Sequence, residues 1–209
     1  MNCMSFPNSE DQQYQSELSV ESFTDSDVCY IPNYLLEDEA DHLFSQLHKG
    51  TDWRQEKIKL FGKTHSVPRL SSWVADEGIE YTYSNITMKP EPWSCELSIL
   101  REKLQSEFHT SFNSVLLNYY RHGQDSNGWH SDDEPELGQN PIIASISLGA
   151  ARDFKFRHKL NKDKQVSISL EHGSLLMMSG LTQTLWQHQI PKRANAGKRI
   201  NLTFRKIIL

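Results

Sequence analysis

Arg199-Ile-Asn-Leu-Thr-Phe-Arg205 alternates without a break. Arg199, Asn201, Thr203 and Arg205 fall on one side of an extended chain, and Ile200, Leu202 and Phe204 on the other. The apolar side belongs in a core. The polar side carries two guanidiniums six residues apart, roughly 20 Å between Cα atoms at ~3.3 Å per residue. Arginine side chains reaching toward each other from those positions leave a gap that suits a short dicarboxylate held at both ends. The planar guanidinium fork meets a carboxylate with two parallel hydrogen bonds, which makes arginine the fitting residue type. A solvated face on an edge strand is the rival reading, but it does not explain why Asn and Thr, instead of more charges, sit between the arginines.

Ahead of this strand the chain repeats short extended patterns. Residues 114–120, 142–148, 153–158, 165–170, 173–178, 184–188 and 200–208 read as strands separated by Gly, Asn, Asp and Pro, with no helix between them. That arrangement predicts a mainly β fold with flanking helices, its core a double-stranded β-helix of jelly-roll or cupin type. Leu36, Ala40, Leu43, Phe44 and Leu47 share one helical stripe, as do Leu97, Leu100, Leu104 and Phe108. Residues 28–34 read as a short strand and turn. Residues 1–25 are polar and acidic and are expected to be disordered. Residues 26–209 form a single domain on this reading, with 26–111 an extension ahead of a core at 112–209.

Among 209 residues, five Trp, seven Tyr and nine Phe suffice for one core. No apolar run approaches the ~20 residues of a membrane span, so no membrane association is expected, and no signal peptide is read at the start. Three cysteines form neither a CxxC pair nor a framework, which points to an intracellular compartment. The net charge of −5 hides an asymmetry. Residues 1–41 hold ten Asp or Glu and no Lys or Arg, so residues 42–209 carry 22 basic and 17 acidic groups, a net +5. A mildly basic body permits a phosphate-backbone partner without demanding one.

The stretch 115–134 begins as an apolar strand, breaks at Gly123 and Gly128, and ends in His130-Ser-Asp132 with Asp133 and Glu134 following. An imidazole and a carboxylate two residues apart point to the same side of an extended segment. They supply two ligands of a 2-His-1-carboxylate triad, which leaves half the coordination sphere of Fe(II) open. A hydrogen-bonded surface pair is the rival. His188, in a short segment ending at Pro191, is the best candidate for the third ligand, although spacing does not single it out and a buried structural histidine competes. Residues 57–69 place Lys57, Lys59, Lys63, His65 and Arg69 around Leu60-Phe61-Gly62. Such a hairpin could grip phosphates and push an apolar wedge between base steps, or it could be an ordinary hairpin with a buried Phe. Trp73 and then Tyr81-Thr82-Tyr83 follow as strand-type aromatics.

Together, His130-x-Asp132, the distant His188 and Arg199-x-Asn201-Leu-Thr-Phe-Arg205 resemble the AlkB family of Fe(II)/2-oxoglutarate dioxygenases. The resemblance is closer to the subgroup that repairs alkylated bases in duplex DNA, typified by the second human AlkB homologue. Phe61-Gly-Lys-Thr-His-Ser-Val-Pro-Arg69, Gly128-Trp-His-Ser-Asp-Asp-Glu134, Arg152-Asp-Phe-Lys-Phe-Arg-His-Lys159 and His172-Gly-Ser-Leu-Leu-Met-Met178 support it, and it covers roughly residues 28–209. The resemblance implies that His130, Asp132 and His188 bind iron. It implies that Asn118, Tyr120, Arg199, Thr203 and Arg205 hold 2-oxoglutarate, with Asn201 an addition, Arg199 at the far carboxylate and Arg205 nearer the metal. It also implies a substrate side: Tyr81 and Tyr83 as the aromatic part of a base pocket, Asp133 and Glu134 as its acidic part, Phe61 with Gly62 and Lys63 as a finger filling the duplex, and Arg69 near the opposite strand.

The implied activity is oxidative demethylation of 1-methyladenine and 3-methylcytosine in DNA by a monomeric enzyme, with O₂ as co-substrate. Its compartment would be the nucleus in a eukaryote and the cytoplasm in a bacterium. Duplex DNA is favoured. The same chemistry on single-stranded DNA, RNA or a protein is the first alternative, and a non-catalytic damage-binding module the second. A zinc cupin leaves the arginine pair without a role. Two departures stand out: the loop at 160–165 is short, and the N-terminal segment lacks a basic, apolar sliding-clamp-binding sequence.

Overall fold

The computed structural model describes residues 27–208 except positions 61, 80, 84, 85 and 89. Two antiparallel sheets face each other. The larger takes β1 (Asp27–Ile31), β4 (Leu70–Ala75), β7 (Ser114–Tyr120), β9 (Ile143–Gly149), β12 (Ser174–Ser179) and β14 (Arg199–Arg205) in the order β1-β12-β9-β14-β7-β4. The smaller is ordered β11-β10-β13-β8, from β8 (Asn127–His130), β10 (Arg152–His158), β11 (Gln165–Leu170) and β13 (Trp186–Ile190). Two hairpins stand apart: β2 (Lys57–Leu60) with β3 (Lys63–Ser66), and β5 (Tyr81–Tyr83) with β6 (Ile86–Met88). The mainly β, jelly-roll expectation holds.

Strand β14 sits in the middle of the larger sheet, between β9 and β7, and all seven of its residues are buried. Its apolar side meets helices. Ile200, Leu202 and Phe204 pack with Ala40, Leu43 and Leu47 of α1 (Glu37–Gly50) and with Leu97, Leu100 and Leu104 of α2 (Cys95–Phe108). Both helices start where local chemistry favours it. The Glu39 carboxylate accepts from the Leu36 N–H at 3.0 Å, and the Ser94 hydroxyl accepts from the Leu97 N–H at 3.3 Å. With helices covering that side, the polar side of β14 faces the gap between the sheets. The solvated-edge reading of Arg199–Arg205 is thereby excluded.

The inter-sheet core is built from Tyr120, Ile143, Phe154, Phe156, Ile168, Leu170, Leu176, Met178, Trp186 and Ile190. Both edge strands of the larger sheet, β1 and β4, come from residues ahead of 112.

Several expectations need correction. Residues 184 and 185 lie in a single helical turn, α3 (Thr182–Leu185), and the strand bearing His188 starts only at Trp186. The last strand ends at Arg205, where Asn113 takes over the pairing by accepting from the Ile207 N–H at 2.7 Å. The stretch 115–134 does not stay in one sheet. Strand β7 belongs to the larger sheet and β8 to the smaller, so the glycine-broken segment crosses from one layer to the other. Gly123 is required at that crossing, because a Cβ there would sit 2.4 Å from the Arg193 carbonyl oxygen. Gly128 lies inside β8.

Candidate active site

His130 and His188 are cross-strand partners on β8 and β13, with ring centroids 4.3 Å apart. Asp132 follows just beyond the end of β8. Ligand atoms of the three all lie within 4.8 Å of one another. The local chemistry presents each of them. His130 Nδ1 lies 2.8 Å from the Gly128 carbonyl, which can only accept, so Nδ1 carries the proton and Nε2 is left with its lone pair. That Nε2 lies 3.2 Å from the Asn127 amide nitrogen. The Asp132 N–H donates to Gln183 Oε1 at 2.9 Å, and the Ser131 hydroxyl donates to the Trp186 carbonyl at 2.9 Å. His188 is buried against Phe154 (5.0 Å, nearly parallel) and edge-on to Phe156, and its Nδ1 has no hydrogen-bond partner.

Electrostatics prepares these groups for a cation. Burial pushes His188 down to about 3, His130 acts in the same direction, and Asp132 opposes them. His130 is also lowered, first by burial and against the pull of Asp132. Burial works against the Asp132 charge, yet Arg205, His188 and His130 together hold its carboxyl well below the usual carboxylate range. Two neutral imidazoles and one carboxylate are the donor set of a 2-His-1-carboxylate Fe(II) site. The unpartnered nitrogen of a buried imidazole fits that assignment.

The histidines carry a measurable cost in metal-free protein. A histidine lowered in the folded state is protonated first in the unfolded chain. Stability is therefore complete above the unfolded value near 6.5 and falls as pH drops through the window down to about 3. The expected slope is about 1.4 kcal/mol per pH unit for His188 alone. Urea unfolding with chelator at pH 7 and pH 5.5 checks it, and His188→Gln is expected to flatten the slope.

The second half of the cleft is the inward face of β14 with its neighbours. Register pairs Arg199 with Tyr120, Asn201 with Asn118 and Thr203 with Leu116 on one flank, and Asn201 with Ser147 and Thr203 with Ser145 on the other. Arg205 sits at the metal end. Its Nη2 donates to Asp132 Oδ2 at 2.8 Å and its Nε at 3.3 Å. Arg199 lies at the other end, over the Tyr120 ring at 5.2 Å, donating from Nη2 to the Ser147 hydroxyl at 2.9 Å while its Nε and Nη1 make no hydrogen bond. Asn201 spends its amide on neighbours: Nδ2 donates to the Ser145 hydroxyl (2.8 Å) and the Ile146 carbonyl (2.9 Å), and Oδ1 accepts from the Thr203 hydroxyl (3.2 Å). Burial draws Arg199 down to about 10, Tyr120 opposes this and Arg152 adds to it, so the guanidinium is charged at neutral pH. A buried cation with two unspent donors fits one carboxylate of 2-oxoglutarate.

The substrate-side residues scatter more widely. Arg69 does not accompany the basic hairpin. It is buried in the cleft, with Nε donating to Asn118 Oδ1 at 2.7 Å and Nη1 to the Ser126 carbonyl at 3.4 Å. Asp133 is exposed and paired with Lys159 at 3.0 Å, and Glu134 is half-buried beside it in the chain. Gly62 adopts φ +76° in the two-residue β2–β3 turn and Lys63 is exposed. Phe61 and the side chains of Tyr81 and Tyr83 lie outside the described residues, as do positions 1–25. Residues that sequence reasoning does not reach include Asn127, Ser145, Phe154 and Met178 on the cleft walls, Ser147 beside Arg199, and Gln183 behind Asp132. Ser145 and Ser147 do carry a signal, since they interrupt an apolar strand at every second position.

An oxygenase that couples iron to a keto diacid needs both halves in one cleft, and here the two sheets supply one half each. The 2OG-Fe(II) oxygenase superfamily profile matches residues 27–205. The cattle protein named alpha-ketoglutarate-dependent dioxygenase alkB homolog 3 is 43% identical over 201 residues, 91% of this chain and 70% of its own length. The human DNA oxidative demethylase ALKBH2 is 43% identical over 182 residues, 82% and 70% of the respective chains. The solved structure of OsALKBH1 superposes with a TM-score of 0.60 over 88% of this chain and 98% of that one at 17% identity, a likeness of fold. The chain belongs to the 2OG-Fe(II) oxygenase superfamily and, within it, to the AlkB family. It is an enzyme that works with Fe(II), 2-oxoglutarate and O₂. The expected family is borne out; the cattle second and third homologues are both 43% identical to this chain, which does not choose between them.

Proposed function

We propose that this enzyme removes methyl groups from ring nitrogens of DNA bases, 1-methyladenine and 3-methylcytosine, with duplex DNA as its favoured substrate. The observation that carries the reading is the cleft itself: a triad on one sheet and an arginine-bearing strand on the other, in a chain 43% identical to a named DNA oxidative demethylase. Iron and 2-oxoglutarate, when bound, would supply the O₂-dependent oxidation of the N-methyl carbon, with succinate, CO₂ and formaldehyde as the products beside the restored base.

The chain's own residues orient and shield that chemistry. His130, Asp132 and His188 hold the iron. Arg205 keeps Asp132 anionic and in place, and Arg199 and Tyr120 take the far end of the co-substrate with Asn118. Arg69, hydrogen-bonded to Asn118, ties the floor of the cleft to β7. Phe154 and Met178 line apolar wall. A base methyl cannot reach this depth while stacked, so the nucleotide leaves the helix, at a cost of a few kcal/mol that is smallest for damaged bases. Asp133 and Glu134, which follow Asp132 directly in the chain, offer negative charge to a cationic methylated base, and Asp133 must then exchange its Lys159 partner for the base. Tyr81 and Tyr83 add π contact. The exposed Lys57, Lys63 and His65 of the β2–β3 hairpin meet phosphates, and Phe61, which precedes Gly62 in the sequence, fills the vacated stack. A DNA substrate places the enzyme with the genome, in a nucleus or a bacterial cytoplasm.

Formaldehyde release from 1-methyladenine and 3-methylcytosine, each in single- and double-stranded form, tests the reading. Phe61→Ala is expected to slow the duplex about 10-fold or more while sparing the single strand, because a stacked residue contributes ~1–3 kcal/mol. A duplex rate left unchanged by Phe61→Ala overturns the finger assignment. Faster turnover of the wild type on single strands or RNA favours that alternative, and binding without succinate formation favours the non-catalytic module.

A further inference from the structure

Arg152 is fully buried at the start of β10, in the phase of that strand that otherwise carries Phe154, Phe156 and His158 inward. Its Nη2 donates to the carbonyls of Asp125 (3.0 Å) and Pro191 (2.6 Å), which fastens the crossing segment to the end of β13. That clamp uses one nitrogen of three. Nε and Nη1 have no hydrogen-bond partner. The nearest buried carboxylate does not serve them, because the Asp125 side chain is filled by the Arg121 N–H, Nε and Nη2 at 2.8–2.9 Å. Arg152 instead lies over the Tyr120 ring at 5.6 Å, from the smaller sheet, while Arg199 lies over the same ring at 5.2 Å from the larger one. Two buried guanidiniums therefore lie over one co-substrate tyrosine, Nε and Nη1 of each make no hydrogen bond, and no carboxylate is bonded to either among the described residues.

Like charges held this close in a dry interior repel, and the loop clamp could be made by a neutral donor. An anion entering from the cleft resolves both features. We propose that Arg152 is a positioning residue for 2-oxoglutarate, a second buried positive charge that holds Tyr120 against Arg199 and sets the enzyme's preference for a co-substrate ending in a carboxylate. The proposal rests on the co-substrate and not on the nucleic-acid substrate, so its test contains no nucleic acid.

Calorimetric titration of the full chain loaded with Fe(II), under anaerobic conditions, compares 2-oxoglutarate with 2-oxopentanoate. The latter has the same keto-acid head and chain length but ends in a methyl group. For Arg152→Met the expected result is a Kd for 2-oxoglutarate raised about 10- to 100-fold, with 2-oxopentanoate changed less than about twofold. Arg152→Lys, which keeps the charge but not the double carbonyl clamp, is expected to recover most of the discrimination. Equal weakening of both ligands in Arg152→Met overturns the proposal in favour of a purely structural clamp, as does unchanged binding of 2-oxoglutarate. If Arg152→Met does not fold, Arg152→Lys decides: lost discrimination with the charge kept overturns the proposal, and retained discrimination with a lowered melting temperature supports it.

Discussion

Asp132→Ala is expected to abolish turnover and to make the metal-free protein less stable. The first effect follows from losing the anionic ligand of the triad, whose two imidazole partners are neutral. The second follows from Arg205. Its guanidinium is buried and donates twice to Asp132 Oδ2, so removing the carboxylate takes an anionic partner from a buried cation between the sheets. Breaking a buried pair from one side costs ~3–5 kcal/mol. Metal content after dialysis against Fe(II), and urea unfolding with chelator present, read the two effects separately. Asp132→Asn is informative because it keeps the shape and one acceptor: metal is still lost, but stability falls by less. If Asp132→Ala were as stable as the parent, the Arg205 pair would not lock the two sheets together.

Arg199→Met is expected to behave in the opposite way, with large loss of function and little loss of stability. Arg199 has no carboxylate partner among the described residues, only the Ser147 hydroxyl and the Tyr120 ring. Replacing a buried, incompletely paired cation with an apolar side chain of similar length is neutral or stabilising in general. The far carboxylate of 2-oxoglutarate, in contrast, would then be buried without its cation. That costs ~2–5 kcal/mol, about 30- to 5000-fold in affinity. The expected signature is a raised KM for 2-oxoglutarate at unchanged or higher melting temperature, measured with excess Fe(II). A melting temperature that collapses along with activity would instead make Arg199 a structural residue.

These two variants separate residues that the sequence presents as a matched pair. Arg199 and Arg205 sit symmetrically on one alternating strand, and their shared orientation is legible because side chains alternate every second residue whatever the rest of the chain does. Which of them meets a protein carboxylate depends on where Asp132 arrives, and Asp132 comes from the opposite sheet. The same logic covers His188. Nothing in its own neighbourhood marks it as a candidate ligand; it joins His130 and Asp132 because β13 pairs with β8 in a register that sets it across from His130. Arg69 is hard to place from sequence for a related reason. Its sequence neighbours are the basic hairpin, but the next residues form β4, and pairing Ser71 with Asn118 draws Arg69 into the cleft. Arg152 carries a weak local signal, a charged residue on the apolar phase of β10, whose meaning emerges only from Tyr120 and Arg199 on the facing sheet.

Short-range pattern by itself determines a good deal of this protein: a β-rich fold with two covering helices, the two-faced last strand, and the His130-x-Asp132 pair. Each depends on periodicity or spacing of a few residues, which backbone geometry converts directly into a shared face. The assembly of the site is decided by the tertiary structure alone. Its parts come from strands far apart in the chain, brought together by inter-strand register and by the packing of one sheet on the other, and a one-residue slip in either would turn the same side chains to the wrong face.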